Sequence, residues 1–199
     1  MADHDGLSKD WSIMKNPAVL ISAGGLMACV VGVASVNYAG LQRMVDDTIA
    51  KDARNKGIEV FAHYKYFVNP NVLVYDLRKV SEENSPMDVT RVLLQFSEQL
   101  KERKFDTVEL SHRGANKFVL KGEFFQTVGQ EHGLQNPIYT IRTLPENVYK
   151  PDGSKAYGEW SGGLLGVLGH QMEDFADLHR TWYIDDLAGK SAKEVGHVQ

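Results

Sequence analysis

Asp76, Glu109 and His112 are the side chains whose types and surroundings could most readily do chemistry. Asp76 ends the run Val72-Leu73-Val74-Tyr75, whose β-branched and aromatic residues read as a strand. Carboxylates at strand ends stand where loops meet a rigid sheet, a frequent catalytic position. Glu109 and His112 fall in a second predicted strand, Thr107 to His112, and would add another carboxylate and a base. Together the three could form an acid–base pair or, with a divalent ion, a metal-dependent hydrolase. The plainer reading has Asp76 pairing with Arg78 or Arg91, or capping a turn.

Two weaker constellations lie near the C-terminus. At helical spacing His170, Asp174 and Asp177 share a face, with Glu173 at its edge, and such a set could hold a divalent ion. The same face lies opposite the apolar stripe Leu165, Leu168, Met172, Phe175, His179 and Trp182, where a solvated polar face belongs. His179, on the stripe itself, reads as a hydrogen-bonded core histidine. Ser161, Gly162 and Gly163 precede this helix, and backbone amides at a helix start can bind an anion. The sequence has no Gly-Lys-Ser/Thr, His-Glu-x-x-His or Gly-x-Ser-x-Gly motif, and no cofactor is expected from it.

A net charge of −4 over 199 residues gives no electrostatic reason to expect nucleic-acid binding. The single cysteine, Cys29, rules out an intramolecular disulfide.

Cys29 sits in the feature that constrains the protein's location. Ala18 to Val36 is a nineteen-residue stretch without a charged side chain. As a helix it would cover about 28 Å, close to the hydrocarbon thickness of a bilayer. Asn16 and Pro17 supply a cap and a first-turn proline. The expectation is a single transmembrane helix over 17–40. The rivals are a cleaved signal or lipid anchor, disfavoured by Asp3, Asp5 and Asp10, and a helix buried in a soluble core. Gly24, Ala28 and Gly32 recur every fourth residue and form a small-residue ridge that another membrane helix could approach. Arg43, Lys51, Arg54 and Lys56 after the run outnumber Lys9 and Lys15 before it, a lean toward a cytoplasmic domain that leaves the side open. A bacterial inner membrane suits this pattern.

The remaining organisation follows from periodicity. Residues 1–16 form a tail and 41–57 an amphipathic juxtamembrane helix through Leu41, Met44, Val45, Ile49 and Ala53. That helix could lie on the bilayer, pair with a partner or pack on the domain. Residues 58–188 form an α+β domain and 189–199 a second tail. Strands are predicted over Ile58–Val68, from Val72, over Thr107–His112 and Lys117–Lys121, and over Ile138–Thr143. The turn between the first two is placed at Asn69-Pro70-Asn71. Helices are predicted from Ser85-Pro86, over Glu123–His132, and over Leu164–Leu187. This order implies a mixed or antiparallel sheet of about four to five strands packed by helices.

The expected function is that of a membrane-anchored, non-catalytic interaction domain, an accessory or assembly subunit of a larger membrane or envelope complex. Its partner would be a protein or a second copy engaged through the span. The alternatives are a membrane-tethered hydrolase on Asp76, Glu109 and His112, and an anion-binding or small-ligand sensor at Ser161-Gly162-Gly163.

Overall fold

The computed structural model describes residues 28–134 and 136–189. The fold is α+β: a mixed five-stranded sheet in the order β1-β2-β3-β4-β5, packed by helices. Helix α1 covers residues 28–51 and contains a π-turn at Tyr38–Gln42. Strands β1 (Ile58–Lys65) and β2 (Asn69–Val80) are antiparallel. Helix α2 (Pro86–Gln99) then makes the crossover that a parallel pair requires, because β3 (Thr107–His112) runs parallel to β2. Strand β4 (Ala115–Lys121) returns antiparallel and is followed by α3 (Gly122–Glu131) and α4 (Pro137–Thr143). The two-residue β5 (Val148–Tyr149) closes the sheet, and α5 (Leu164–His179) continues helically through a π-turn at Arg180–Ile184.

The best-formed element is the one with the clearest chemistry at its start. The Ser85 hydroxyl accepts from Asp88 N–H, the Asp88 carboxylate accepts from Ser85 N–H, and Pro86 opens the first turn. Val89, Val92, Leu93 and Phe96 then face the sheet, fully buried. Helix α3 crosses this helix at glycine: a Cβ on Gly129 would stand 2.3 Å from the Ser97 carbonyl oxygen. Gly129→Ala should therefore push the two helices apart and cost about 1–3 kcal/mol in a urea melt.

One face of the sheet carries Val60, Ala62, Leu73, Tyr75, Leu77, Val108, Leu110 and Leu120, which pack with α1, α2, α3 and the π-turn of α5. Alternation and register place His63, Val74, Asp76, Glu109 and Ser111 on the other face. The helix predicted over 41–57 ends at Lys51, where Asp52 is extended, and it packs on the domain, since Leu41 and Val45 are wholly buried in this core.

Three expectations are corrected. Ile138–Thr143 is helical, not a strand. Asn136 accepts from Ile138 N–H and Pro137 opens the helix, the same punctuation that starts α2. Asn69-Pro70-Asn71 is not the β1–β2 turn: Lys65 pairs with Asn69 while Tyr64 pairs with Leu73, so residues 70–72 form a bulge. The turn itself is Tyr66-Phe67, with φ of 54° and 64°. The apolar stripe on α5 also fails in its first half, where Leu165 and Met172 are exposed; Gln171, Phe175, Leu178, His179, Trp182 and Tyr183 are buried instead.

Among the described residues no helix is long and apolar enough to cross a membrane. Residues 18–27 of the uncharged run, and Gly24 of its ridge, lie outside the described residues. The last part of the run is helical, with Ala28, Cys29, Val30, Val31, Gly32 and Val36 exposed.

Candidate functional site

The structure does not bring Asp76, Glu109 and His112 together. Asp76 pairs with Ser111 across the parallel ladder and Leu77 pairs with His112, so Asp76 and His112 project from opposite faces. Asp76 is buried and held by Arg78 Nη2 at 2.5 Å, and its two oxygens accept from Gly114 N–H at 3.1 and 3.0 Å. It thus pairs with Arg78, one of the partners that the plainer sequence reading offered, and pins the β3–β4 turn. Glu109 shares the face of Asp76 but is bound to Lys65 at 2.5 Å. This hydrogen bond is the main reason the Lys65 ammonium is raised above its ordinary range.

His112 belongs to a different cluster. Its Nδ1 bonds Asp186 Oδ2 at 2.8 Å, and Lys117 Nζ reaches the same carboxylate at 2.9 Å. The His112 bond, then the Lys117 bond, hold Asp186 below the usual carboxylate range. His112 Nε2 is buried and finds no partner among the described residues. The π-turn makes this geometry: it turns Trp182 and Tyr183 onto the sheet, with Trp182 Nε1 donating to the Ser111 carbonyl at 3.0 Å. His179 is buried beside them, its Nε2 2.9 Å from Thr90 Oγ1, and burial pushes its pKa down to about 3. Tyr75, on the same core face, is raised above its ordinary range by burial.

The other candidates have ordinary partners. His170 stacks on Trp160 with ring centres 4.0 Å apart. Asp174 accepts from Trp160 Nε1 at 2.7 Å, while Asp177 accepts from Tyr157 and pairs with Arg180. Among the described residues no three His, Cys, Asp or Glu side chains converge so as to hold a metal ion. Ser161, Gly162 and Gly163 are exposed, and Gly163 caps α5 without a side-chain bond. Of the ridge, Ala28 and Gly32 lie open on α1, and a Cβ on Gly32 would meet nothing within 4 Å.

What the sequence reading missed is the surface where α1 meets the β1–β2 turn. β1 is an edge strand, and α1 satisfies its free backbone groups with two amide side chains. Asn37 Oδ1 accepts from Tyr64 N–H at 2.8 Å, and its Nδ2 donates to the Phe67 carbonyl at 2.7 Å. Gln42 Oε1 accepts from Ala62 N–H at 2.9 Å and its Nε2 donates to the Val60 carbonyl at 3.1 Å. Two amides five positions apart were the available signal, Asn37 near the end of the predicted span and Gln42 at the start of the predicted amphipathic helix.

Beyond this clamp the surface turns apolar. Tyr66, Phe67 and Val68 are 76%, 44% and 66% exposed, and Val30, Val31, Val36 and Tyr38 on α1 are exposed as well. Phe67 and the α1 residues Cys29, Val30, Val33 and Ala34 line one open cleft of about 380 Å³. Such a surface can bury itself against lipid or another apolar body.

No protein-family model, curated protein or solved structure matches this chain.

Proposed function

We propose that the protein is a membrane-anchored interaction domain, an accessory or assembly subunit held by a single span within 17–40. One observation carries this reading. The same helix that buries Leu41 and Val45 in the core leaves Cys29, Val30, Val31 and Val36 exposed one to three turns earlier, in the last part of the uncharged run. An apolar helix surface of this kind costs free energy in water and none in lipid. The open Ala28 and Gly32 support close approach of a partner helix in the membrane. The hydrolase reading gains nothing from the geometry, since Asp76 and Glu109 each hold their own cation and His112 faces away.

The full chain is expected to stay in the membrane pellet through alkaline carbonate extraction. Leu26→Lys, which places a charge in the middle of the run at a cost of about 3 kcal/mol, should release much of it. Full-chain protein in the carbonate supernatant would sink the reading. The partner arm has its own test. Gly32→Leu should reduce co-purification of a membrane partner without lowering the melting temperature of the domain, because a Cβ at this position meets nothing within 4 Å among the described residues.

A further inference from the structure

We infer that the β1–β2 hairpin tip is a second membrane contact, seated in the interfacial layer of the bilayer that holds the 18–36 run. The inference rests on the anchor reading above and adds what orients the domain on its tether.

The tip is built against its own backbone preference. Three residues, Tyr66-Phe67-Val68, link the paired Lys65 and Asn69; two successive positive φ values favour Asn and Gly, and here Tyr66 and Phe67 take them at 54° and 64°. The β3–β4 turn of the same sheet meets the same demand with glycine in its second position, Arg113-Gly114. Phe67 stacks on His63 with ring centres 4.5 Å apart, but Tyr66 lies out in solvent, and a large aromatic side chain held left-handed there serves something other than stability. Tyrosine and phenylalanine beside valine match the chemistry of the membrane–water interface.

Position and charge agree. Asn37, the residue after Val36 at the end of the uncharged run, donates to the Phe67 carbonyl, so the tip stands level with that end. Tyr38 is exposed at the same level. No charged side chain occurs from Tyr66 to Tyr75, and Lys65 is taken up by Glu109. Seating therefore needs no anionic lipid. Phe67 already shares its cleft with Cys29, Val30, Val33 and Ala34, which makes the tip continuous with the apolar surface of the anchor helix.

The single cysteine allows a direct test. Full-length chain carrying Cys29→Ser and Val68→Cys is spin-labelled and reconstituted in phosphatidylcholine vesicles. A second chain carries the label at Glu83→Cys, in the loop at the far end of β2. Flotation with the vesicles reports the anchor; collision of the label with oxygen and with a water-soluble nickel chelate reports the tip. The label at 68 is expected to meet nickel about fivefold less often than that at 83, and oxygen more often, at low and high salt alike. Adding Tyr66→Asn and Phe67→Gly, which suit the turn better, should leave the chain folded and return the label to nickel. Equal nickel access at 68 and 83 in a chain that floats overturns the proposal and leaves the anchor standing. Dipolar broadening at 68 that vanishes on dilution with unlabelled chain places a second copy on the tip and also overturns it. A chain that does not float removes the anchor, and the proposal with it.

Discussion

Lowering the pH from 6.5 to 4.5 is expected to remove about 2 kcal/mol of stability through His179. The side chain is wholly buried among Phe175, Trp182 and Tyr183, with Thr90 as its hydrogen-bond partner. Burial favours the neutral ring and drops its pKa from 6.5 to about 3. The unfolded chain thus takes up a proton near pH 6.5 that the folded chain refuses until about pH 3. Between these values every unit of acid favours unfolding by about 1.4 kcal/mol. The contribution is fully present about a unit above pH 6.5 and falls toward a maximal loss of about 5 kcal/mol below pH 3. Asp186 behaves separately, since its depressed pKa gives stability that is present above 3.8 and lost below it. Urea melts of the parent and of a His179 variant between pH 4.5 and 7.5 therefore separate the share of this histidine. His179→Gln, which can still reach Thr90, should flatten this limb; a slope equal to that of the parent would assign the acid sensitivity elsewhere.

The second large effect is expected at the clamp between α1 and the sheet edge. Asn37→Ala removes the acceptor for Tyr64 N–H and the donor to the Phe67 carbonyl, and Gln42→Ala does the same for Ala62 N–H and the Val60 carbonyl. Each unmet buried group costs about 1–3 kcal/mol where water cannot replace the lost partner. The double variant should lose about 3–4 kcal/mol, allowing for partial hydration at an edge strand. It should also expose a strand that can pair with another chain, visible as concentration-dependent aggregation on sedimentation. An unchanged melting temperature would mean that water serves the edge equally well. The same contacts predict that a chain beginning at Gln42 is less stable than one beginning at Ser35, because it lacks Asn37 and the buried Leu41.

Much of the fold is written in short-range signals. Ser85-Pro86-Met87-Asp88 announces α2 because the cap, the proline and the returning carboxylate are all local. Val108 and Leu110 alternate with Glu109 and Ser111 as a strand between core and second face demands. Local signals also misled. Ile138, Tyr139 and Ile141 have β-favouring side chains, yet Asn136-Pro137 starts a helix, and the propensity of a seven-residue segment is too weak to oppose its cap. Asn69-Pro70-Asn71 carries turn chemistry, but aromatic residues three positions earlier make the turn; nothing in Tyr66-Phe67 advertises a left-handed backbone. The candidate site was less legible still. Asp76, Glu109 and His112 fall on neighbouring strands, and which faces they share depends on a parallel register that no local pattern encodes. The α1–β1 clamp joins residues about twenty to thirty positions apart through amides that look, in sequence, like ordinary solvated side chains.

Because α1 is one helix from residue 28 to residue 51, it is also a lever arm. A pull transmitted along its first turns arrives at Asn37 and Gln42, which grip β1 side-on. The load falls in shear on four side-chain bonds and on the buried Leu41 and Val45 before it reaches the backbone ladder between β1 and β2. Tension on that end of the helix would peel it from the sheet edge first, baring Val60, Ala62 and Tyr64 while the rest of the sheet stays intact.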